Sequence, residues 1–281
     1  MMNALKTFKD LLSFLTIIPL AKTEDFVFTS SRNMWLFPLM GGLIGLIGAG
    51  YFVASGFVVS FLLGLANMLI QIPVEFFVNV AVPAMTLAFL LVLTGFQHFD
   101  GLVDLGNAIG VKRVEDRREI AHRWVVTYKG GFLAIFVEFM AFVGIFIFAS
   151  YLDLGLALRT IVLAEITAKL AMVTIVWKGK PAHPGLGARF LSNAKRSSNL
   201  VAYVIGFILG FILLGIIGVL VVFISVLFGL FMEWVGNRVF GGVSGDMIGA
   251  TNEGARAITL VIIALILLIG VKVLLTGAFF V

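Results

Sequence analysis

The sequence predicts an all-α fold, a polytopic bundle of about seven transmembrane helices preceded by a helix that lies on the membrane surface. Hydrophobic residues make up 61% of the 281 residues, charged residues only 12%, and the mean hydropathy is +1.13. Soluble domains carry about 25% charged residues, so we expect the chain to be embedded in a lipid bilayer. No linker divides it, and we expect one integral membrane domain over residues 1–281.

The first predicted element is an amphipathic helix over residues 4–18. Lys6 and Lys9 precede a short apolar run that contains Asp10 and ends at Pro19. A secretory signal would have an uncharged run and a small-residue cleavage site. We therefore interpret this segment as an interfacial helix that leads into the bundle.

Six long apolar stretches predict the membrane-spanning part. They lie at about 34–71, 76–97, 131–151, 154–177, 200–235 and 257–280. Because one crossing needs about 20 residues, the first and the fifth stretch are too long for one straight crossing. A hairpin, a re-entrant element or a long tilted helix is open for each. The simplest count does not satisfy strict alternation of sides, so we expect the first stretch to be irregular, with close helix packing at Gly41, Gly42, Gly45 and Gly48.

Basic residues predict which helix ends share one side of the membrane. Seventeen of the 20 Lys and Arg residues lie in four polar stretches, 1–33, 98–130, 178–199 and 236–256. The positive-inside rule places such loops in the cytoplasm, which predicts a multi-pass protein of the cell membrane with its active site facing the cytoplasm. The net charge of +5 is then a topology signal, and we expect no nucleic-acid partner.

The most informative polar pattern is acidic and follows the second apolar stretch. Asp100 and Asp104 are four residues apart, so a helix would place both carboxylates on one face, with Asn107 on the same side. Like charges at this spacing repel, whereas Mg²⁺ prefers carboxylate oxygens and keeps other positions for water and phosphate. The pair alone is equally compatible with a solvated acidic loop.

A second acidic pattern opens the last apolar stretch. Asp246 and Glu253 are seven residues apart, again on one helical face, and they follow Gly241, Gly242 and Gly245. Backbone N–H groups at such a glycine-rich turn can hold a phosphate. The chain has no cysteine, which excludes thiolate metal sites and cysteine nucleophiles. Carboxylates with nearby cations indicate phosphoryl or phosphodiester transfer on a diphosphate substrate.

Ionisable residues also lie inside the apolar stretches, where they are costly. Glu165 and Lys169 have the order and spacing of a helical ion pair. A mutually neutralised structural pair and the wall of a polar cavity are both open interpretations.

These motifs together resemble the cobalamin synthases, also called adenosylcobinamide-GDP ribazoletransferases. The first acidic signature of that family is similar to Thr94-Gly95 followed by His98-Phe99-Asp100-Gly101-Leu102-Val103-Asp104. Its second signature is similar to Gly241-Gly242-Val243-Ser244-Gly245-Asp246-Met247-Ile248-Gly249-Ala250 with Glu253. Shorter matches in the family's order are Phe14-Leu15-Thr16, Phe37-Pro38-Leu39 and Gly185-Leu186-Gly187-Ala188. The resemblance covers nearly the whole chain.

The sequence departs from the family pattern at two places. Asn107 stands where the family usually has a third aspartate. His122-Arg123-Trp124, followed by Lys129-Gly130-Gly131, stands where a Lys-Asp-Ser with glycines is usual. An amide oxygen can still bind a metal but lacks the charge, so a changed metal geometry, a divergent relative and reduced activity are all open.

The resemblance implies the final nucleotide-loop assembly step of adenosylcobalamin synthesis. The 3′-hydroxyl of α-ribazole, or of its 5′-phosphate, attacks the corrinoid-bound phosphorus of adenosylcobinamide-GDP, and GMP leaves. Mg²⁺ is the implied cofactor. Its implied ligands are Asp100, Asp104 and Asp246, with Asn107 and Glu253 as further candidates.

The remaining site residues follow from the same resemblance. His98 is either a general base or a residue that orients Asp100. Lys129 and Arg189 are expected to contact phosphate, together with the backbone of Gly241, Gly242 and Gly245. The sequence is compatible with a homo-oligomer.

Two other functions remain open at this point. A CDP-alcohol phosphotransferase that makes a phospholipid uses the same carboxylates and metal, but its opening D-G-x-x-A-R is not matched, because Val103-Asp104 follows Asp100-Gly101-Leu102. A cation-coupled secondary transporter would use acidic residues beside broken helices. Two matching halves, which would favour a transporter, are not evident in the sequence.

Overall fold

The computed structural model describes residues 4–21, 25–121, 125–151, 153–193 and 197–276, and its regular elements there are helices. They are α1 (Ala4–Leu15), α2 (Phe26–Arg32), a 3₁₀ turn (Met34–Leu36), α3 (Phe37–Asn67), α4 (Val74–Leu93), α5 (Gln97–Ala108), α6 (Val114–Ala121), α7 (Tyr128–Tyr151), α8 (Leu154–Lys178), α9 (Leu186–Asn193), α10 (Asn199–Val239) and α11 (Gly245–Thr276). In this part of the chain six helices, α3, α4, α7, α8, α10 and α11, are long and apolar enough to cross a membrane. The all-α membrane bundle is therefore confirmed.

Helix α8 is the central element of the bundle. In its most apolar window 94% of the residues are buried, against 22–50% in the other five long helices. It packs against α3, α10 and α11. Glu165 and Lys169, the charged side chains in the buried part of α8, must therefore find their partners inside the protein, because neither water nor lipid headgroups can reach them.

Stretch 34–71 was expected to be irregular, and this expectation is wrong. It forms the 3₁₀ turn and then one continuous helix of 31 residues, α3. Its glycines pack as predicted, since a Cβ on Gly45 would lie 2.6 Å from the Cα of Val162 in α8. A helix of this length spans about 46 Å, which a bilayer accommodates by tilt.

The irregular element is α10, which turns back on itself at Leu214 and Gly215. Gly215 has φ +58° and ψ −136°, a conformation that favours glycine. A Cβ on Gly210 would lie 3.0 Å from the carbonyl oxygen of Gly218, although eight residues of straight helix would separate them by about 12 Å. The two arms, 199–213 and 216–239, therefore run antiparallel. Counted separately, they give seven membrane segments and restore strict alternation of sides.

The four polar stretches meet at one end of the bundle, as the basic residues predicted. Three contacts join them: the Asn193 side chain donates to Ser31, the Arg117 guanidinium donates to the Val239 carbonyl, and Pro181 forms a β-bridge with Val243. The Ile17 amide also donates to the Leu93 carbonyl at the end of α4. The tip of the α10 hairpin lies beside Leu156 and Arg159, near the start of α8 at the opposite end. Both acidic signatures lie at the polar end.

Candidate active site

The first acidic signature lies on a helix that is separate from the preceding span. Gly95 and Phe96 both have positive φ, +67° and 56°, and they end α4 before α5 begins at Gln97. Apolar stretch 76–97 therefore stops short of its predicted end. Because α5 is helical, the carboxylates of Asp100 and Asp104 lie one turn apart on one face.

The two signatures pack against each other through their glycines. A Cβ on Gly101 of α5 would clash with the carbonyl of Asp246 and lie 3.0 Å from the amide nitrogen of Ala250, both in α11. A Cβ on Gly249 would lie 3.1 Å from the Cα of His98. Without side chains at these positions the helices approach closely, and Asp246 comes next to the carboxylates of α5.

Three carboxylates of this region, Asp100, Asp104 and Asp246, form what we name the carboxylate set. Burial, then repulsion from Asp246 and Asp100, raises the pKa of Asp104 to about 7. Burial and Asp246 likewise raise the pKa of Asp100. Neighbouring carboxylates thus add to the effect of burial on both pKa values, and a bound cation would relieve this repulsion.

The carboxylate set is better suited to a Mg²⁺ site that a phosphate ligand completes than to a site in which the protein supplies every ligand. Among the described residues, no group of three or more His, Asp or Glu side chains is close enough to hold a metal ion unaided. Mg²⁺ is usually bound by one or two carboxylates, with water and substrate phosphates in the other positions. The arrangement is therefore suited to a metal that arrives with, or is completed by, a phosphorylated substrate.

A cavity of about 380 Å³ opens beside the carboxylate set. Its lining residues are Phe14, Gln97, His98, Asp100, Met172, His183, Leu186, Phe190, Gly245, Asp246, Ile248 and Gly249. Among the described residues of this lining there is no lysine or arginine. An anionic ligand in the cavity would face the carboxylates of Asp100 and Asp246, and a bound cation would offset that repulsion.

The glycine-rich loop before α11 is held by backbone bonds. Gly241, with φ +70°, follows the last turn of α10, and the Gly242 amide donates to the Gly236 carbonyl, which closes that helix. Ser244 caps α11 by accepting a bond from the Met247 amide. Of the three glycines predicted to contact phosphate, Gly245 alone lines the cavity.

The two predicted phosphate-binding cations do not line the cavity. The Lys129 ammonium lies 3.3 Å from the carbonyl oxygen of Ile109, just beyond the end of α5. Nine helical residues separate that position from Asp100, about 13 Å along the axis. Arg189 is exposed on α9. Neither cation lines the cavity, and a contact of Lys129 or Arg189 with a bound phosphate stays a prediction.

Asn107 has structural partners instead of facing the other predicted metal ligands. Its amide donates to the Val125 carbonyl at 2.8 Å, and its oxygen accepts from the Thr127 amide at 3.0 Å and the Thr127 hydroxyl at 2.7 Å. The side chain thus joins α5 to the start of α7. Residues 122–124, the other departure from the family pattern, lie outside the described residues.

Glu253 belongs to a buried group of charged and polar side chains, which we name the ion cluster: Glu165, Lys169, Asn252, Glu253 and Arg256. The Lys169 ammonium donates to Glu165 at 3.2 Å and to Asn252 at 2.7 Å, and the Asn252 amide donates to Glu253 at 3.0 Å. The Arg256 guanidinium donates to both Glu165 and Glu253. The ion pair between Glu165 and Lys169 that the sequence suggested is present, and it is part of a larger network.

His98 lies between the cavity and the ion cluster. It lines the cavity, and its Nδ1 is 3.6 Å from a carboxylate oxygen of Glu253. Burial first, then Lys169 and Arg256, keeps the pKa of His98 well below its usual value, so the imidazole is neutral. Arg256 and the bonding role of Asn252 were not predicted from the sequence. Two features of the sequence could have indicated a role for Arg256: it lies three residues after Glu253, and it is a charged residue directly before the apolar stretch 257–280.

Comparison with known proteins gives one consistent family. A family model described as cobalamin-5-phosphate synthase (CobS) matches residues 7–264. No solved structure gives a significant match.

Similar proteins carry the name adenosylcobinamide-GDP ribazoletransferase. That of Methanosarcina barkeri is 28% identical over 95% of this chain and 94% of its own length. Those of Thermococcus onnurineus and Methanocella arvoryzae are each 30% identical, over 91% and 77% of this chain and 96% and 85% of their own length. Because the family match spans nearly the whole chain, from the N-terminal helix into α11, this chain belongs to the cobalamin-5-phosphate synthase family.

Proposed function

We propose that the chain joins adenosylcobinamide-GDP to α-ribazole, or to α-ribazole 5′-phosphate, and releases GMP. Family membership supports the final step of cobalamin assembly, and the relatives' shared name supplies the substrates. The observation that carries the chemistry is that Asp100 and Asp246 of the carboxylate set line a cavity whose described lining residues include no lysine or arginine. A diphosphate substrate would be repelled there unless a divalent cation accompanied it.

The reaction is a substitution at one phosphorus atom. The 3′-hydroxyl oxygen of the ribazole forms a bond to the phosphorus that carries the corrinoid, and the bond from that phosphorus to the bridging oxygen of GMP breaks. GMP departs with that oxygen, and the hydroxyl proton passes to a base. His98 and His183 are the two imidazoles that line the cavity.

Within this proposal one or two carboxylates of the set Asp100, Asp104 and Asp246 would hold Mg²⁺, with substrate phosphate and water in its other positions. The bound ion supplies positive charge for the substrate diphosphate and for the departing GMP. The protein's own contribution is to bring carboxylates from α5 and α11 together through Gly101 and Gly249, and to exclude bulk water with Phe14 and Phe190 on the cavity wall.

We further propose that the protein lies in the plasma membrane and that its active site is on the cytoplasmic side. Supporting this orientation, the polar stretches that contain most of the Lys and Arg residues gather at the same end as the cavity. The positive-inside rule assigns that end to the cytoplasm.

The experiment is an assay of GMP release by the purified protein with adenosylcobinamide-GDP, α-ribazole and Mg²⁺. Asp100→Asn and Asp246→Asn each keep side-chain size and remove one charge, and we expect each to lower turnover about 100-fold. The matched control is Asp116→Asn, an exposed acid on α6 at the same end, with turnover unchanged. Near-normal turnover in both site variants would overturn the metal assignment, and no GMP from the wild type would overturn the function.

A further inference from the structure

The ion cluster adjoins the proposed active site but has no role in the chemistry above. All five of its members are almost fully buried, at 0–1% exposure. It contains two carboxylates, Glu165 and Glu253, and two cations, Lys169 and Arg256, so its formal charges cancel. Glu138 of α7 lies next to Glu253 and extends the polar interior.

Stability alone does not account for such a cluster. Removing charges from solvent costs several kcal/mol per ion, and well-packed apolar residues of similar volume are often as stable or more so. The best-attested use of buried polar contacts is to select one register of packed helices over others. The ion cluster joins two helices, α8 through Glu165 and Lys169 and α11 through its other three members.

The register of α11 decides where Asp246 lies. On this helix Arg256 is ten residues beyond Asp246, about 15 Å along the axis. Between them Gly249 and Ala250 pack against His98 and Gly101 of α5. These contacts involve backbone atoms of His98, Gly101, Gly249 and Ala250, which offer little resistance to axial sliding. By contrast, the forked guanidinium of Arg256 bonds to carboxylates on both helices and fixes rotation and axial position together.

We propose that Arg256 is a positioning residue, which through Glu165 and Glu253 sets the register of α11 on α8 and so holds Asp246 against the carboxylates of α5. The effect that we expect on Mg²⁺ dependence rests on the proposed function. The register of α11 on α8 does not depend on the reaction.

The register can be measured without activity, because the chain contains no cysteine. Spin labels on Leu154→Cys of α8 and Ile269→Cys of α11 would lie on exposed positions near the end opposite the cavity. We expect a narrow distance distribution in the otherwise unchanged protein. In Arg256→Gln the distribution should broaden or shift beyond the spread of repeated measurements.

The catalytic consequence is a change in metal dependence. In Arg256→Gln the Mg²⁺ concentration for half-maximal GMP release should rise about tenfold, the size of effect seen when a residue that supports a metal ligand is removed. Arg256→Lys keeps the charge without the fork, and we expect an intermediate rise. The control is Ser225→Ala, which removes a buried bond of 2.7 Å from α10 to the Thr167 carbonyl of α8. It should lower thermal stability and leave the Mg²⁺ dependence unchanged.

A charge-balanced double variant separates positioning from simple neutrality. Glu165→Gln with Arg256→Gln removes one charge of each sign, so thermal stability should recover toward wild type, while the broadened label distance and the raised Mg²⁺ requirement persist. If Arg256→Gln alone does not fold, this variant and Arg256→Lys decide. A wild-type label distance in the double variant would overturn the inference, as would a wild-type Mg²⁺ requirement alongside a changed distance. An inactive wild-type protein with the expected distances would overturn the proposed function only.

Discussion

The carboxylate set and the ion cluster are neighbours on α11, yet they treat charge in opposite ways. In the ion cluster each charged side chain faces a partner of opposite sign. Glu165, for example, accepts bonds from both Lys169 and Arg256. In the carboxylate set like charges face one another, and the pKa of Asp104 rises to about 7. The first arrangement is complete within the protein, whereas for the second we propose that a bound cation supplies the opposite charge.

The difference shows how a mostly apolar protein divides its few charges between structure and function. Uncompensated carboxylates are costly, and they are retained at an open cavity where a cation and a phosphate can complete them. Compensated charges sit deeper, where no ligand reaches them. If this reading holds, substitutions in the two regions should change stability with opposite sign.

The largest expected effect comes from breaking the ion cluster. Lys169→Met removes one cation and leaves the carboxylate of Glu165 and the amide of Asn252 without a donor. Losing one partner of a buried pair costs about 3–5 kcal/mol, which should lower Tm by roughly 10 °C. Thermal unfolding in detergent measures this. The exposed Lys112→Met serves as the control, and an equal Tm for Lys169→Met and wild type would refute the structural reading of the cluster.

The next effect concerns the close approach that assembles the carboxylate set. In Gly101→Ala the new Cβ would clash with the Asp246 carbonyl, so α5 and α11 must separate. A misplacement of about 1 Å in a catalytic site can cost about 100-fold in rate, and we expect a loss of that size in GMP release. Gly50→Ala is matched in chemistry, because nothing lies within 4 Å of its added Cβ. Similar activity in both variants would show that the glycine contact is unimportant.

The sequence predicted much of the carboxylate set but little of the ion cluster, and this difference has a physical cause. The helical spacing of Asp100 and Asp104 followed from one short segment, and their closeness to Asp246 followed from the family resemblance. The bonds from Thr127 to Asn107 and from Arg256 to Glu165 did not, because these partners are 20 and 91 residues apart along the chain. Only the packing of α5 on α7 and of α8 on α11 brings them together.

The same dependence on distant contacts explains why the irregular membrane segment was expected in stretch 34–71 and is found in α10. Stretches 34–71 and 200–235 have similar length and apolarity, so composition could not tell a long helix from a hairpin. The distinction depends on a single residue, Gly215, whose positive φ permits the reversal, and on the contact between Gly210 and Gly218 that the reversal creates. Glycine-rich packing faces occur in both stretches and do not discriminate between them.

A third prediction tests the opposite sign expected in the carboxylate set. The folded-state pKa of Asp104, about 7, lies above the ordinary value of 3.8. The folded protein therefore binds more protons between these values, and its stability falls as the pH rises through that window. Asp104→Asn should remove this penalty.

The gain depends on pH and on metal. With chelator present we expect Asp104→Asn to stabilise the protein at pH 8 by about 1–2 kcal/mol, allowing for solvent screening. The gain should shrink at pH 5.5, where the wild-type carboxyl is protonated. Tm at both pH values measures it, and added Mg²⁺ should close the gap at pH 8. A lower Tm for the variant under chelator at pH 8 would contradict the contrast between the two regions.

The smallest expected effect concerns Asn107, which the family resemblance placed with the metal ligands and the structure places with Val125 and Thr127. Asn107→Asp restores the usual acid of the family, keeps the acceptor for Thr127 and replaces the donor to the Val125 carbonyl with a second oxygen. The lost bond should cost about 1 kcal/mol, while the Mg²⁺ requirement for GMP release stays within about twofold of wild type. Asn107→Ala, which removes both contacts, should cost more stability with equally little effect on Mg²⁺. If Asn107→Asp instead lowers the Mg²⁺ requirement clearly, position 107 belongs to the carboxylate set, and the boundary between the structural and the functional charges must be redrawn.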